Sequence, residues 1–485
     1  MTSDALHSLN DLDPDYPTPR VYEFLPRPSH RDLLAYVFKD PFGCHVFPGD
    51  IPNYPLDSFF EDMEHDIARA RQIHLWAYIP TCRYRCHFCQ YPTVILNPKA
   101  QSSQQVFRDV VDYNIKEAML WLQKIPSLAQ VEVAEFNIFG GTPSLLPEAE
   151  LRRLMVFYKT HFNFASATMR FEGEPGTLTK SYLEILKELG FTKISFGTQS
   201  FNDRIISACG RQHSAEECVE TILHAREIGI DWVSVDLIYG MLGQRVRDVE
   251  YDMQKTLELE LSHVVVTKLH MEEFMKSRTG VSGDRQSHWQ RKGLIDTDSM
   301  CFPGLGKQYQ MRELVELYLS HGYHEHPTMY FHQIQRPPEK WKALITDLDT
   351  QCPEVAIGLG GSSKCTRAEA INITGYNQYK AALDDGRMPI DNARGISASQ
   401  REVNAFKMAL STLIPVDDGV FKNRFGGISF WDNRVIAHTI QKLVNDQLII
   451  LDGDLVRLTP NGITLVEAII NTQFVMRQDA EIGEI

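Results

Sequence analysis

Ile79-Pro80-Thr81-Cys82-Arg83-Tyr84-Arg85-Cys86-His87-Phe88-Cys89 spaces three cysteines as C-x3-C-x2-C, directly behind an apolar, β-prone run at residues 74–79. Thiolates are the usual ligands of iron–sulfur clusters. Three of them on a four-iron cluster leave one iron open to a substrate or cosubstrate. The competing reading is a structural zinc site with His87 as the fourth ligand. Such sites usually pair two C-x2-C knuckles in closed four-coordination, and the chain carries no second knuckle. Its other six cysteines, Cys44, Cys209, Cys218, Cys301, Cys352 and Cys365, are scattered and read as small buried residues. One tight cluster without an export signal points to metal chemistry, not to a disulfide framework.

Working outward from the cysteines, short β-rich runs recur at residues 74–79, 131–139, 168–173, 193–198, 232–239 and 263–270. Amphipathic stretches at 104–123, 149–161, 180–189, 215–228 and 246–259 lie between them. This alternation predicts parallel βα units. The fold class is α/β, a partial (β/α)6 barrel with its chemistry at the C-terminal ends of the strands. Residues 1–70 read as a proline-rich N-terminal arm with a short helix near 56–70, and residues 71–275 as the barrel. Residues 276–395 read as a barrel extension and substrate-covering segment, with a polar stretch at 276–291 and a glycine-rich run at 358–363. Residues 396–485 read as a C-terminal winged-helix-like α+β domain. There, helices at 401–413 and 436–446 precede two apolar runs around Asp452-Gly453, a hairpin signal, and a last helix at 460–474.

The 485 residues carry 49 Lys and Arg against 63 Asp and Glu, a formal charge of −14. That balance argues against a nucleic-acid-binding surface, which needs a basic face. No apolar run approaches the ~18–20 residues of a membrane helix, and residues 1–19 lack a signal-peptide pattern. A cytoplasmic, monomeric enzyme is expected, without nucleic-acid or membrane partners.

Several residues at predicted strand ends could serve a site. Gly140 and Gly141 follow the second strand, where glycine permits close backbone approach or simply makes a βα turn. Glu172 ends the third strand and Gln199 the fourth. Arg211 sits at a helix entry. Asp236 is embedded in an apolar strand and needs a partner, for which Arg211 is the ordinary candidate.

The cysteine triplet and the barrel rhythm resemble the radical S-adenosylmethionine (SAM) superfamily. The resemblance implies a [4Fe–4S] cluster on Cys82, Cys86 and Cys89, with SAM on the open iron and Phe88 near its adenine. A narrower resemblance, to the oxygen-independent coproporphyrinogen oxidase family and its relatives, runs from about residue 75 to 474. It rests on Phe139-Gly140-Gly141-Thr142-Pro143-Ser144, Phe171-Glu172-Gly173-Glu174-Pro175-Gly176-Thr177, Ser195-Phe196-Gly197-Thr198-Gln199-Ser200-Phe201, Gly210-Arg211 and Val235-Asp236-Leu237-Ile238-Tyr239-Gly240. It implies that Gly140, Gly141, Thr142, Glu172 and Trp76 line a first SAM, and that Gln199, Arg211 and Asp236 line a second.

Three departures bear on function. The decarboxylating members carry a further cysteine two places past the triplet, where this chain has Gln90 and Tyr91. They also carry a tyrosine against SAM where this chain has Trp76. The heme-chaperone branch carries His-Asn-x-x-Tyr-Trp, where this chain has Gly322-Tyr323-His324-Glu325-His326-Pro327-Thr328-Met329-Tyr330. The expectation is therefore a two-SAM radical C-methyltransferase or cyclopropanase. It would act on an sp2 carbon of a small aromatic or alkene substrate, with an electron donor such as flavodoxin or ferredoxin. The alternatives are a tetrapyrrole decarboxylase, a heme-opening methylase or a heme chaperone.

Overall fold

The computed structural model describes residues 8–24, 28–36, 49–89, 91–230, 232–269, 302–335 and 352–474. Six parallel strands run in sequence order: β1 (Gln72–Ile79), β2 (Glu132–Gly140), β3 (Thr168–Gly173), β4 (Lys193–Gln199), β5 (Trp232–Tyr239) and β6 (His263–Lys268). Each is within two residues of its expected run. A helix Leu56–Ile67 (α1) precedes them, as expected near 56–70. Helices α2 (Gln101–Lys124), α3 (Glu148–His161), α4 (Lys180–Glu188), α5 (Asp203–Ala208), α6 (Ala215–Glu227) and α7 (Val246–Glu258) fill the crossovers. Most strand positions are buried on both faces, as sheets covered by helices require.

The six strands do not stand alone. After α8 (Leu305–Leu319), the chain adds β7 (Tyr323–Glu325), β8 (Tyr330–Gln333), β9 (Glu354–Ile357), β10 (Ser362–Lys364), β11 (Ala368–Asn372) and β12 (Ile390–Gly395). The result is one 12-stranded mixed sheet in the order β12-β11-β10-β9-β1-β2-β3-β4-β5-β6-β8-β7. The six-stranded expectation thus gave only the parallel centre. Strand β1 is too apolar on both faces to serve as an edge, and β9 pairs with it in parallel, hiding backbone groups that an open edge would expose. The added strands are mostly three to five residues long, too short to register as a period.

The glycine-rich run lies in this junction. Gly358 N donates to Glu117 Oε2 at 2.8 Å, and Glu117, on α2, also accepts from Asn372 at 2.7 Å and Tyr379 at 2.5 Å. Gly358 has φ +120°, and a Cβ there would stand 2.7 Å from Tyr78 O. The run is a packed joint between β1, β9 and α2. The polar stretch 276–291 lies outside the described residues.

The C-terminal block forms a three-stranded antiparallel sheet, β13 (Val416–Asp417), β15 (Leu455–Leu458) and β14 (Ile449–Asp452), with the hairpin at Gly453. It packs with α9 (Ala398–Ser411), α10 (Arg434–Asn445) and α11 (Val466–Thr472). The last helix is split at Leu465 rather than continuous, with Pro460–Thr464 before it. Its core of Phe406, Phe430, Ile440, Leu443 and Ile469 is continuous with Leu305 and Tyr309 of α8. Among the described residues, no helix is long and apolar enough to cross a membrane.

Candidate active site

A pocket of about 150 Å³ opens at the C-terminal ends of β2 to β5. Cys82, Cys86, Phe88, Cys89, Gly140, Gly141, Thr142, Glu172, Gln199, Arg211 and Asp236 all wall it. The parallel register explains most of the convergence: Gly140, Gly141, Thr142, Glu172 and Gln199 end or follow strands, Asp236 lies within β5, and Arg211 enters from the loop after α5.

The thiols belong together. Burial pushes the Cys82 thiol up to about 12, and the neighbouring Cys89 and Cys86 add to the shift while Thr142 opposes it. Burial and Cys86 likewise raise Cys89. Such thiols favour the thiolate only when a metal compensates the charge. The glycines after β2 serve the cysteine loop itself. A Cβ on Gly141 would stand 2.6 Å from Thr81 O and 2.9 Å from Cys82 Sγ. Gly141 N donates to Ile79 O at 2.8 Å, and Thr142 Oγ1 donates to Cys82 Sγ at 3.6 Å.

The zinc alternative loses its fourth ligand. His87 Nδ1 lies 3.1 Å from Ala208 O, and the His87 ring packs where a Cβ on Gly210 would be. Among the described residues, no three His, Cys, Asp or Glu side chains are grouped to share one metal ion. A cluster spreads its thiolates over separate irons and does not need them grouped on one ion. The donor set, three thiols on one loop at the pocket wall, fits a [4Fe–4S] cluster.

Phe88 is half-buried against Ile205, Met241, Leu242, Leu269 and Phe302, an apolar wall beside the cysteines. Gln199 sits at a register shift between β4 and β5 with φ +68°. That backbone is costly for a non-glycine residue and concentrates at functional sites. Its Oε1 is buried and unpartnered. Asp236 is pushed up to about 7 by burial and by Glu172, against the pull of Arg170 and Arg211. The expected Asp236–Arg211 ion pair is absent: Arg211 donates instead to Cys86 Sγ at 3.4 Å and to Gly197 O. Trp76 is not on the pocket wall. It lies deeper, edge-on to Phe139 at 5.5 Å, with Nε1 buried and unpartnered. Gln90 lies outside the described residues.

Sequence reasoning missed two residues. Arg170 reaches Glu172 Oε1 at 3.2 Å, which also accepts from Asn137 at 3.0 Å. Strand alternation puts 170 and 172 on one face, so Arg170 was detectable. Glu174, nearly fully buried, accepts from Tyr84 OH and from Arg83 Nη2 at 3.3 Å. Burial works to raise its carboxyl, but His213, Arg211 and Arg83 outweigh that and hold it below its ordinary range. It pins the loop between Cys82 and Cys86, and nothing in its sequence neighbourhood announces this.

Residues 76–255 match the sequence family described as the radical SAM superfamily. The heme chaperone HemW of Lactococcus lactis is 25% identical over 391 residues, 80% of this chain and 93% of that protein. Residues 76–255 thus carry the radical SAM match, and over most of its length the chain is similar to HemN/HemW-like proteins. The oxygen-independent coproporphyrinogen III oxidase of Escherichia coli is 27% identical over 226 residues, 46% of this chain and 45% of that protein. The match to this oxidase spans about half its length, as does that to the HemW of Bacillus subtilis. In fold, the structure of the E. coli HemN superposes with a TM-score of 0.71 at 18% identity, covering 90% of this chain and 98% of that one. The mixed sheet is thus a HemN-like radical SAM fold. The named relatives in this family are heme chaperones and coproporphyrinogen oxidases, which favours the tetrapyrrole alternative over the C-methyltransferase expected from sequence.

Proposed function

We propose that this HemN/HemW-like radical SAM enzyme acts on a tetrapyrrole. The observation that carries the radical SAM part is the single pocket in which three thiols meet Gly140, Gly141, Thr142 and the ends of β3 to β5. The tetrapyrrole part is supported by the names of the relatives that align with most of the chain. When bound, the cluster and SAM supply a 5′-deoxyadenosyl radical. The chain's own residues hold and shield. Cys82, Cys86 and Cys89 would hold the cluster, with SAM bound beside them in the same pocket. Glu172 offers an acceptor to the SAM amino group or ribose, and the apolar wall around Phe88 excludes water.

A second reading keeps two SAM molecules and C-methylation or cyclopropanation. It is favoured by Gln199, Arg211 and Asp236 walling the same pocket as the cysteines. One experiment separates the readings. The full chain, reconstituted anaerobically and reduced by dithionite or flavodoxin, is incubated with methyl-deuterated SAM and either coproporphyrinogen III or heme. 5′-Deoxyadenosine together with a decarboxylated or opened macrocycle supports the main reading. S-adenosylhomocysteine with a deuteromethylated macrocycle supports the two-SAM chemistry of the second reading on the tetrapyrrole of the first. Stoichiometric heme binding without SAM cleavage overturns both in favour of a carrier.

A further inference from the structure

Arg211 is held by more than its own side chain. The 208–213 segment is zipped to the cysteine loop: His87 N donates to Cys209 O at 2.9 Å, and Gln212 N donates to Tyr84 OH at 3.1 Å. Gly210 at φ +80° brings its backbone so close that a Cβ would stand 2.8 Å from the His87 ring. From this anchored segment the guanidinium spans two partners. Nη1 points at Cys86 Sγ from 3.4 Å, and Nη2 is bound to Gly197 O on β4. The side chain is half-buried, with its Nε fully shielded, so water screens its charge only in part. Cys82 Sγ, by contrast, accepts from the neutral Thr142 hydroxyl.

We propose that Arg211 sets the reduction potential of the cluster through this charge-assisted hydrogen bond to the sulfur of Cys86. The inference rests on the cluster assignment alone, not on the substrate. Hydrogen bonds to ligand sulfurs and nearby charge are the protein's main levers on cluster potential. A fixed cation beside the sulfur stabilises the reduced, more negative cluster over the oxidised one, and so raises the potential. The resemblance implied only that Arg211 faces a second SAM. Here each terminal nitrogen already has a protein partner before any ligand arrives, so the effect is present without SAM.

The test is an EPR-monitored redox titration of the full-length, anaerobically reconstituted protein without SAM or substrate. Wild type is compared with Arg211→Met, which removes charge and donor, and Arg211→Lys, which keeps a point charge but not the planar fork. The expected order is wild type highest, Arg211→Lys lower and Arg211→Met lowest, at equal iron and sulfide content. Should Arg211→Met hold iron poorly, Arg211→Lys and Arg211→Gln carry the comparison. Potentials equal to wild type in the iron-loaded variants would overturn the proposal. A wild-type chain that takes up no cluster would instead remove the functional reading on which it stands.

Discussion

Asp236 should be kept at a cost to stability. Its carboxyl rises from an ordinary 3.8 to about 7, first through burial and then through Glu172. A shift of about 3 units corresponds to roughly 4 kcal/mol of differential interaction. Part of the group faces the pocket, so the realised effect should be on the order of 2–4 kcal/mol. The sign follows from proton binding. Between 3.8 and about 7 the folded chain holds a proton that the unfolded chain has lost. Stability from this group is therefore complete below 3.8, falls as pH rises through the window, and is fully lost above about 7. Asn cannot ionise. Asp236→Asn should match wild type in acid, gain stability progressively towards neutrality, and hold a constant advantage above it. Thermal melts of the metal-free protein across that range read the difference directly. An Asp236→Asn chain that melts below wild type at alkaline pH, or by the same margin at every pH, would refute the reasoning.

Replacing Cys82, Cys86 or Cys89 by Ala should remove the charge-transfer absorption of the cluster and SAM cleavage together. Cys218→Ala, in the barrel core, should leave both; iron content and visible spectra decide. Gly141→Ala places a Cβ 2.6 Å from Thr81 O and should lower iron uptake by displacing the cysteine loop, with circular dichroism unchanged; full iron uptake would contradict the packing. Glu325→Ala leaves the buried Arg312 with Glu316 but without the carboxylate 2.6 Å away. It should cost about 3 kcal/mol, read as a lower thermal midpoint; a midpoint within error of wild type would contradict it.

The cluster was legible because its ligands lie within eight residues of one another and need no tertiary partner to be recognised. Glu172, Gln199 and Asp236 were legible because parallel strands deliver their C-terminal ends to one rim. Contacts between segments far apart in the chain were not legible. Arg211 reads from sequence as a ligand for Asp236, yet the zipped 208–213 segment turns it to Cys86. Trp76 shares the inward face of β1 but sits too deep to line the pocket. The strands flanking β1 and β6 were invisible for a different reason: their order in the sheet reverses and jumps, and no local period encodes that.

The lower barrel bears on how ligands arrive. Lys193 lies 3.4 Å from Glu135 and sits over Trp232, which stacks on His263, and His263 meets His332. Strand alternation places Trp232 and Asp236 on one face, so this layer lies beneath the pocket as its floor. Approach from the N-terminal ends would have to break a buried ion pair and an aromatic stack. The C-terminal face is the open direction, and there Tyr239, Lys268, Gln308, Arg312 and Glu467 wall a small second cavity of about 30 Å³. Residues of the C-terminal block thus help build the mouth of the barrel: Glu467 faces Lys268, and Thr464 donates to Glu316 at 2.9 Å. A block that shares its core with α8 and lines the barrel's mouth is placed to shape which substrate enters.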